Sequence, residues 1–130
     1  MIEFRLNSHS GVPTYLQLVQ QVRHAVRLGL LQPGDQLPTV KEVVGGLAIN
    51  PNTVLKAYRE LDHEGLVEPR RGQGTFVSSA LTPATPTEHA ALSSALVRWI
   101  ERARANGFDE DDVTALFDAA VRSAFVEDAA

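Results

Sequence analysis

Ala48-Ile49-Asn50-Pro51-Asn52-Thr53-Val54-Leu55-Lys56-Ala57-Tyr58 is the stretch on which the reading of this chain turns. Asn50 suits a helix N-cap, because its short side-chain oxygen accepts from amides that a helix start leaves unpaired. Pro51 fits the first turn, where its missing N–H costs nothing. Asn52 and Thr53 add small polar groups to the same turn. Such a helix begins with donors and acceptors rather than packing surface, as a helix end must if it is to face base edges and phosphates in a groove. Val54, Ala57, Tyr58 and Leu61 recur at helical spacing as its inner face, and Gly65 stops it after about Glu64.

Upstream, Thr39 and Glu42 have the spacing of a capping box. Val40, Val43, Val44 and Leu47 give the helix they open a buried stripe, and Gly45, Gly46 and the short Ala48-Ile49 connection are expected to end it. Two short helices joined through Ala48-Ile49 form a helix-turn-helix, although the spacing alone equally suits an ordinary helical hairpin in a bundle. From Pro13, the residues Tyr15, Leu18, Val19, Val22 and Val26 predict an earlier amphipathic helix of roughly four turns that ends near Gly29. Pro33-Gly34-Asp35 marks a turn after it. Residues 1–12, with Ile2, Phe4 and Leu6 alternating, read as an extended arm.

Charge along the third helix runs against the helix dipole: its first two turns carry Lys56 and no acid, whereas Glu60, Asp62 and Glu64 crowd its end. A phosphate at the N-terminal end would supply the missing negative charge; a chance surface distribution is the bland alternative. Next comes Leu66-Val67-Glu68-Pro69-Arg70-Arg71-Gly72-Gln73-Gly74-Thr75-Phe76-Val77, two β-prone runs around a tip of arginines and glycines. Arginine suits phosphates or a narrow minor groove, and glycine permits close backbone approach. A hairpin in this place is a wing, or else a structural hairpin with solvated arginines.

The 130 residues suffice for one ordinary domain or a small domain with an appendage. There is no cysteine to form a disulfide or a thiolate metal site. No apolar run approaches the roughly 20 residues of a membrane span and no signal peptide is evident, so a cytoplasmic location is expected. The net charge of −4 divides unevenly: residues 1–80 hold eight Lys or Arg against seven Asp or Glu, and residues 81–130 hold four against nine. The acid lies in the tail, and the overall charge therefore argues little against nucleic-acid binding.

Leu37-Pro38-Thr39-x-Lys41, Asn50-Pro51-Asn52-Thr53-Val54, Tyr58-Arg59-Glu60-Leu61, Glu64-Gly65-Leu66-Val67 and Gly72-Gln73-Gly74-Thr75-Phe76-Val77 together resemble the GntR family of bacterial transcription regulators. The likeness runs without a gap over residues 13–77, and the Asn-Pro-Asn-Thr-Val and Ala57-Tyr58 residues with the short tail look like the YtrA subfamily. It implies a winged helix-turn-helix that binds double-stranded DNA. Carried over by position, DNA contacts would fall on Lys41, Asn50, Asn52, Thr53, Arg71 and Gly72, with Lys56, Arg70 and Gln73 as neighbours of suitable chemistry. Lys41 stands where the family usually has arginine; lysine keeps the charge and loses the bidentate fork that reads guanine.

Ser78 to Thr87 is a linker by composition, small and polar with two prolines. Beyond it Leu92, Leu96, Trp99, Ile100 and Ala103 form one helical stripe closed by Gly107. Asp109 caps a second helix, along which Val113, Leu116, Phe117, Ala120, Val121 and Ala124 recur. A segment this short rarely folds alone without staples. A twin chain is the natural cover, since the family's operators are usually two-fold repeats. The expected interface residues are Leu92, Leu96, Trp99, Ile100, Val113, Leu116, Phe117, Ala120 and Val121. The tail is too short for a large effector pocket, which leaves only a small molecule at the tail or dimer interface, where Trp99 is the aromatic to watch. His9, His24, His63 and His89 lack ligand spacing and read as surface or interface residues; no metal or cofactor is expected.

The expected fold is therefore mainly α with a small β-hairpin: a winged helix-turn-helix over 1–77, a linker over 78–87 and a helical dimerisation hairpin over 88–130. The expected function is that of a homodimeric, sequence-specific DNA-binding regulator, a repressor by family habit, on a palindromic operator. A winged-helix protein-interaction module is the alternative, kept by the acidic tail. An enzyme finds no support, for there is no nucleophile elbow, phosphate-cradling glycine loop or histidine cluster.

Overall fold

The computed structural model describes residues 2–82 and 86–126. In chain order the elements are α1 (Thr14–Arg27), α2 (Val40–Leu47), α3 (Pro51–His63), β1 (Val67–Arg70), β2 (Gly74–Val77), α4 (Pro86–Ala105) and α5 (Glu110–Val126). The chain divides into two compact units, residues 1–86 and 87–130.

In the first unit α1 and α2 both pack on α3, and β1 continues from α3. Leu18, Val19 and Val22 of α1 meet Val54, Ala57 and Leu61 of α3 in a core where all six are fully buried. Burial of each large aliphatic side chain contributes about 1.5–3 kcal/mol, and Leu37, Val67 and Val77 extend the same core toward the hairpin. Tyr58 joins it by its ring, and its hydroxyl donates to the carbonyl of Pro38 at 2.6 Å. Burial, reinforced by the Glu42 carboxylate, pushes that phenol far above its ordinary value, so it remains a neutral donor. The segment ahead of α2 is thereby fixed to α3.

The arm is extended, with Phe4 buried and Ile2 and Leu6 packed against the core. Two glutamines of α1 stand in for a neighbouring strand. Gln21 accepts from the Arg5 amide at 2.9 Å and donates to the Arg5 carbonyl at 2.6 Å. Gln17 does the same for Asn7, at 2.8 and 3.1 Å. Each backbone group of the arm that they meet is satisfied without a sheet.

The expected end of α2 holds at Ala48 and fails at the glycines. Gly45 and Gly46 lie inside the helix, which continues to Leu47 and ends where Ala48 turns left-handed with φ 53°. Glycine weakens a helix by about 1 kcal/mol without breaking it. Here Leu47 packs against the core, and the Ala48 amide closes the last turn on Val44.

β1 and β2 pair antiparallel with Val67 opposite Val77 and Arg70 opposite Gly74. β2 also has a second neighbour: Leu37 donates to Thr75 at 2.8 Å, Val77 donates to Asp35 at 2.7 Å, and Gln36 bridges to Phe76. The turn before α2 therefore serves as a minimal third strand that ties the hairpin to the helices.

The second unit consists of α4 and α5; α4 begins at Pro86, inside the stretch read as linker, of which residues 83–85 lie outside the described residues and Ser78, at its start, is buried within the first unit. Gly107, at φ 88°, takes the chain out of α4. Asp109 and Asp112 then cap α5 reciprocally, each carboxylate accepting from the other's amide, at 2.8 and 3.1 Å. The helices meet near this turn, where the Trp99 and Phe117 rings lie 6.3 Å apart.

Candidate nucleic-acid interface

The start of α3 is built as its residues require. Asn50 is extended, its Oδ1 accepts from the Asn52 amide at 2.8 Å, and Pro51 occupies the first helical position. Its Nδ2 group has no protein partner among the described residues. Asn52 is exposed, Thr53 half-buried, and no acid stands in the first turn to neutralise the positive end of the dipole. Lys56, one turn on, holds its ammonium 4.0 Å above the Tyr15 ring of α1. Thr14, Tyr15, Asn50, Asn52, Thr53 and Lys56 together line an open hollow where the starts of α1 and α3 converge.

Lys41 lies in the first turn of α2, exposed and without an ion-pair partner among the described residues. The capping box behind it is complete. The Thr39 hydroxyl accepts from the Glu42 amide, and Glu42 accepts from the Thr39 amide.

At the wing the two arginines differ. Arg70 donates to the Glu68 carboxylate at 2.9 Å and lies over the Phe76 ring at 4.1 Å, so its guanidinium is laid along the hairpin. That hydrogen bond holds the Glu68 carboxyl below its ordinary range. Arg71 sits exposed at the tip with no ion-pair partner among the described residues. The tip closes as a turn, the Gln73 amide donating to Arg70 at 2.9 Å, with Gly72 at φ 75°, a conformation that glycine adopts without strain. The positions named from the sequence thus fall on three elements, the start of α2, the start of α3 and the wing tip, with Arg70 drawn back.

Two residues of this region carried no sequence expectation. Leu55 is 40% exposed on α3 and follows Asn52 by three residues, on the outward side. Its signal was present, an apolar side chain out of step with the buried period of Val54, Ala57, Tyr58 and Leu61. Gln36 donates from Nε2 to the Gln73 carbonyl at 3.2 Å. A partner 37 residues away leaves no local mark.

The tail residues divide as well. Leu92, Leu96, Leu116, Phe117, Ala120 and Val121 are exposed, Leu92 by 72%, and Trp99, Ile100 and Val113 are half-buried. Val97, Phe108, Phe125 and Val126, which the stripe reading omitted, are exposed too. His9, His24 and His63 are exposed and His89 half-buried. No described helix is long and apolar enough to cross a membrane.

Residues 14–77 match the family model described as bacterial regulatory proteins, gntR family. The chain is 43% identical over 74 residues to the HTH-type transcriptional repressor YtrA of Bacillus subtilis, a match that spans 57% of this chain and 57% of that protein. It is 41% identical over 108 residues to the HTH-type transcriptional regulator Rv1152 of Mycobacterium tuberculosis, 83% of this chain and 85% of that protein. Among solved structures it resembles YtrA from Sulfolobus acidocaldarius, a GntR-family transcription factor, with TM-score 0.56 and 29% identity over 78% of this chain and 97% of that one. It also resembles the AraR DNA-binding domain in complex with operator ORE1, with TM-score 0.50 and 27% identity over 60% of this chain and 95% of that one. With a winged helix-turn-helix in place, a family model matched over residues 14–77 and a likeness that spans 83% of the chain, this chain belongs to the GntR family of bacterial regulatory proteins, on its YtrA-like side.

Proposed function

We propose that the protein is a homodimeric, sequence-specific DNA-binding repressor that places the start of α3 in the major groove of each half of a two-fold symmetric operator. The observation that carries this is the acid-free, Asn50-capped start of α3, flanked by exposed Lys41 and the exposed Arg71 tip. Amide donors, a dipole end and two separate cations on one unit fit a phosphate backbone, and the asparagine side chain of Asn52 has the donor and acceptor pair that matches adenine. The wing tip, with Arg71 beside Gly72, fits flanking backbone or minor groove. Repression is supported by the names of relatives such as the Bacillus repressor, and pairing by the apolar tail, which covers its exposed face only against another surface.

Selection of bound duplexes from a random pool, followed by anisotropy titrations, tests the proposal. The selected site should bind about 10³-fold or more tightly than random duplex and should contain an inverted repeat. Arg71→Ala should weaken all duplexes alike and lower the salt slope by about one, whereas Asn52→Ala should relax base preference. If selection yields no site that exceeds random duplex, sequence-specific reading is wrong. A reporter behind the selected site should be derepressed when the gene is removed; lower expression instead would make the protein an activator.

A further inference from the structure

We infer that Gln36 is a positioning residue for DNA binding: it touches no DNA and fixes the wing tip that carries Arg71. The inference rests on the DNA-binding reading above. The turn at Arg71-Gly72 is suspended from the peptide units of Gln73 and its neighbours. On one side the Gln73 amide donates to Arg70 at 2.9 Å. On the other, the Gln73 carbonyl accepts from Gln36 Nε2 at 3.2 Å. Gln36 itself is anchored by its backbone, which bridges to Phe76 of β2 between the Leu37 and Asp35 hydrogen bonds to the same strand. Its side chain therefore runs from the minimal third strand along the hairpin to the tip.

Gly74 shows how close this approach is. A Cβ at that position would stand 2.9 Å from Gln36 Nε2, inside contact distance, and the backbone there has φ 121°, which disfavours any side chain. The glycine before Thr75 thus makes room for the amide as well as for the turn. A two-stranded hairpin is marginally stable by itself. Without Gln36 the tip residues Arg71, Gly72 and Gln73 would keep only their own turn hydrogen bond. Arg71 would then have to be ordered at the moment of binding, and an immobilised flexible side chain and loop weaken association.

Gln36→Met keeps the length of the side chain and removes its donor; Gln36→Ala removes the side chain altogether. Both should weaken binding to the selected duplex about three- to tenfold and reduce the salt slope toward that of Arg71→Ala. In an Arg71→Ala background the same substitutions should change affinity by less than about twofold, since the two residues act on one contact. Equal losses in both backgrounds would show that Gln36 serves only the general fold, and would overturn the inference. Amide relaxation of Gly72 in the free protein gives a readout without DNA, and should show greater disorder in both variants. An unchanged Gly72 amide overturns the positioning role even where affinity falls. If wild-type protein fails to prefer the selected duplex while Gly72 is loosened, the DNA reading fails and the hold on the tip stands.

Discussion

The two units spend their apolar residues in opposite ways. The first buries Leu18, Val19, Val22, Val54, Ala57 and Leu61 completely and leaves its polar residues to caps and clasps. In the second, Ala103 is the only described residue that is buried, and Leu92, Leu96, Leu116, Phe117 and Val121 stand in solvent. A unit that has closed its core can use its surface for recognition. One that has not must obtain its stability from another surface. On the function proposed above, DNA reading falls to the first unit and pairing to the second, so that each should be open to disturbance without the other.

The largest effect is expected from the tail. Leu96→Asp together with Phe117→Asp places charge on the apolar face of both helices, and sedimentation should show monomers. Affinity for a two-half-site operator should fall by about 100-fold or more, because linked half-sites lose their effective concentration. Binding to a single half-site should be unchanged. A variant that stays dimeric would move the interface away from this face and leave the apolar tail without its assigned cover.

Within the first unit the next largest effect falls on Tyr58→Phe. The ring remains and the Pro38 carbonyl loses its buried donor, at a cost of about 1–3 kcal/mol. Thermal unfolding should report the loss with little change in the dimerisation constant. Because the phenol is held neutral, this contribution should persist through mildly alkaline pH. Asn50→Ala should be milder for the fold, about 1 kcal/mol from the lost cap, and should also reduce operator affinity. If Asn50→Ala lowers the melting temperature and leaves affinity intact, the α3 start is structural alone.

What the sequence made legible was the local part of this design. Thr39 with Glu42, Asn50 with Pro51 and Asp109 each sit within one turn of the group they satisfy, so short-range pattern suffices. Ala48 is rightly read as the end of α2, whereas Gly45 and Gly46 are given a share in the stop that a propensity of about 1 kcal/mol does not carry against the packing of Val44 and Leu47 on either side. The Gln17 and Gln21 clasps on the arm and the Gln36 hold on the wing were illegible for another reason. A glutamine looks alike on a solvated face and on a backbone it grips. Most instructive is Arg70, whose sequence position beside Arg71 suggested a shared role. Strand alternation puts it on the face of Glu68 and Phe76, and only the register of the hairpin, Glu68 opposite Phe76, brings the three together.

That capture leads to the smallest and most pointed expectation. Glu68→Gln removes the charge that draws Arg70 along the hairpin, and an exposed ion pair of this kind contributes little to stability, so the melting temperature should scarcely move. Affinity for duplex at low salt should rise about two- to threefold, with a steeper salt slope, if the released guanidinium reaches a phosphate. The same substitution in an Arg70→Ala background separates release from the mere loss of a negative charge: any gain that survives there belongs to charge alone. The pH dependence has a definite sign. Arg70 lowers the Glu68 carboxyl in the folded protein, so the pair is intact at neutral pH and is lost only as pH falls through that depressed value. Wild type and Glu68→Gln should therefore differ at neutral pH and converge in acid, below the usual carboxylate range. Equal affinities at neutral pH would mean that Arg70 has no DNA contact to make even when released, and that Arg71 is the wing's whole electrostatic share.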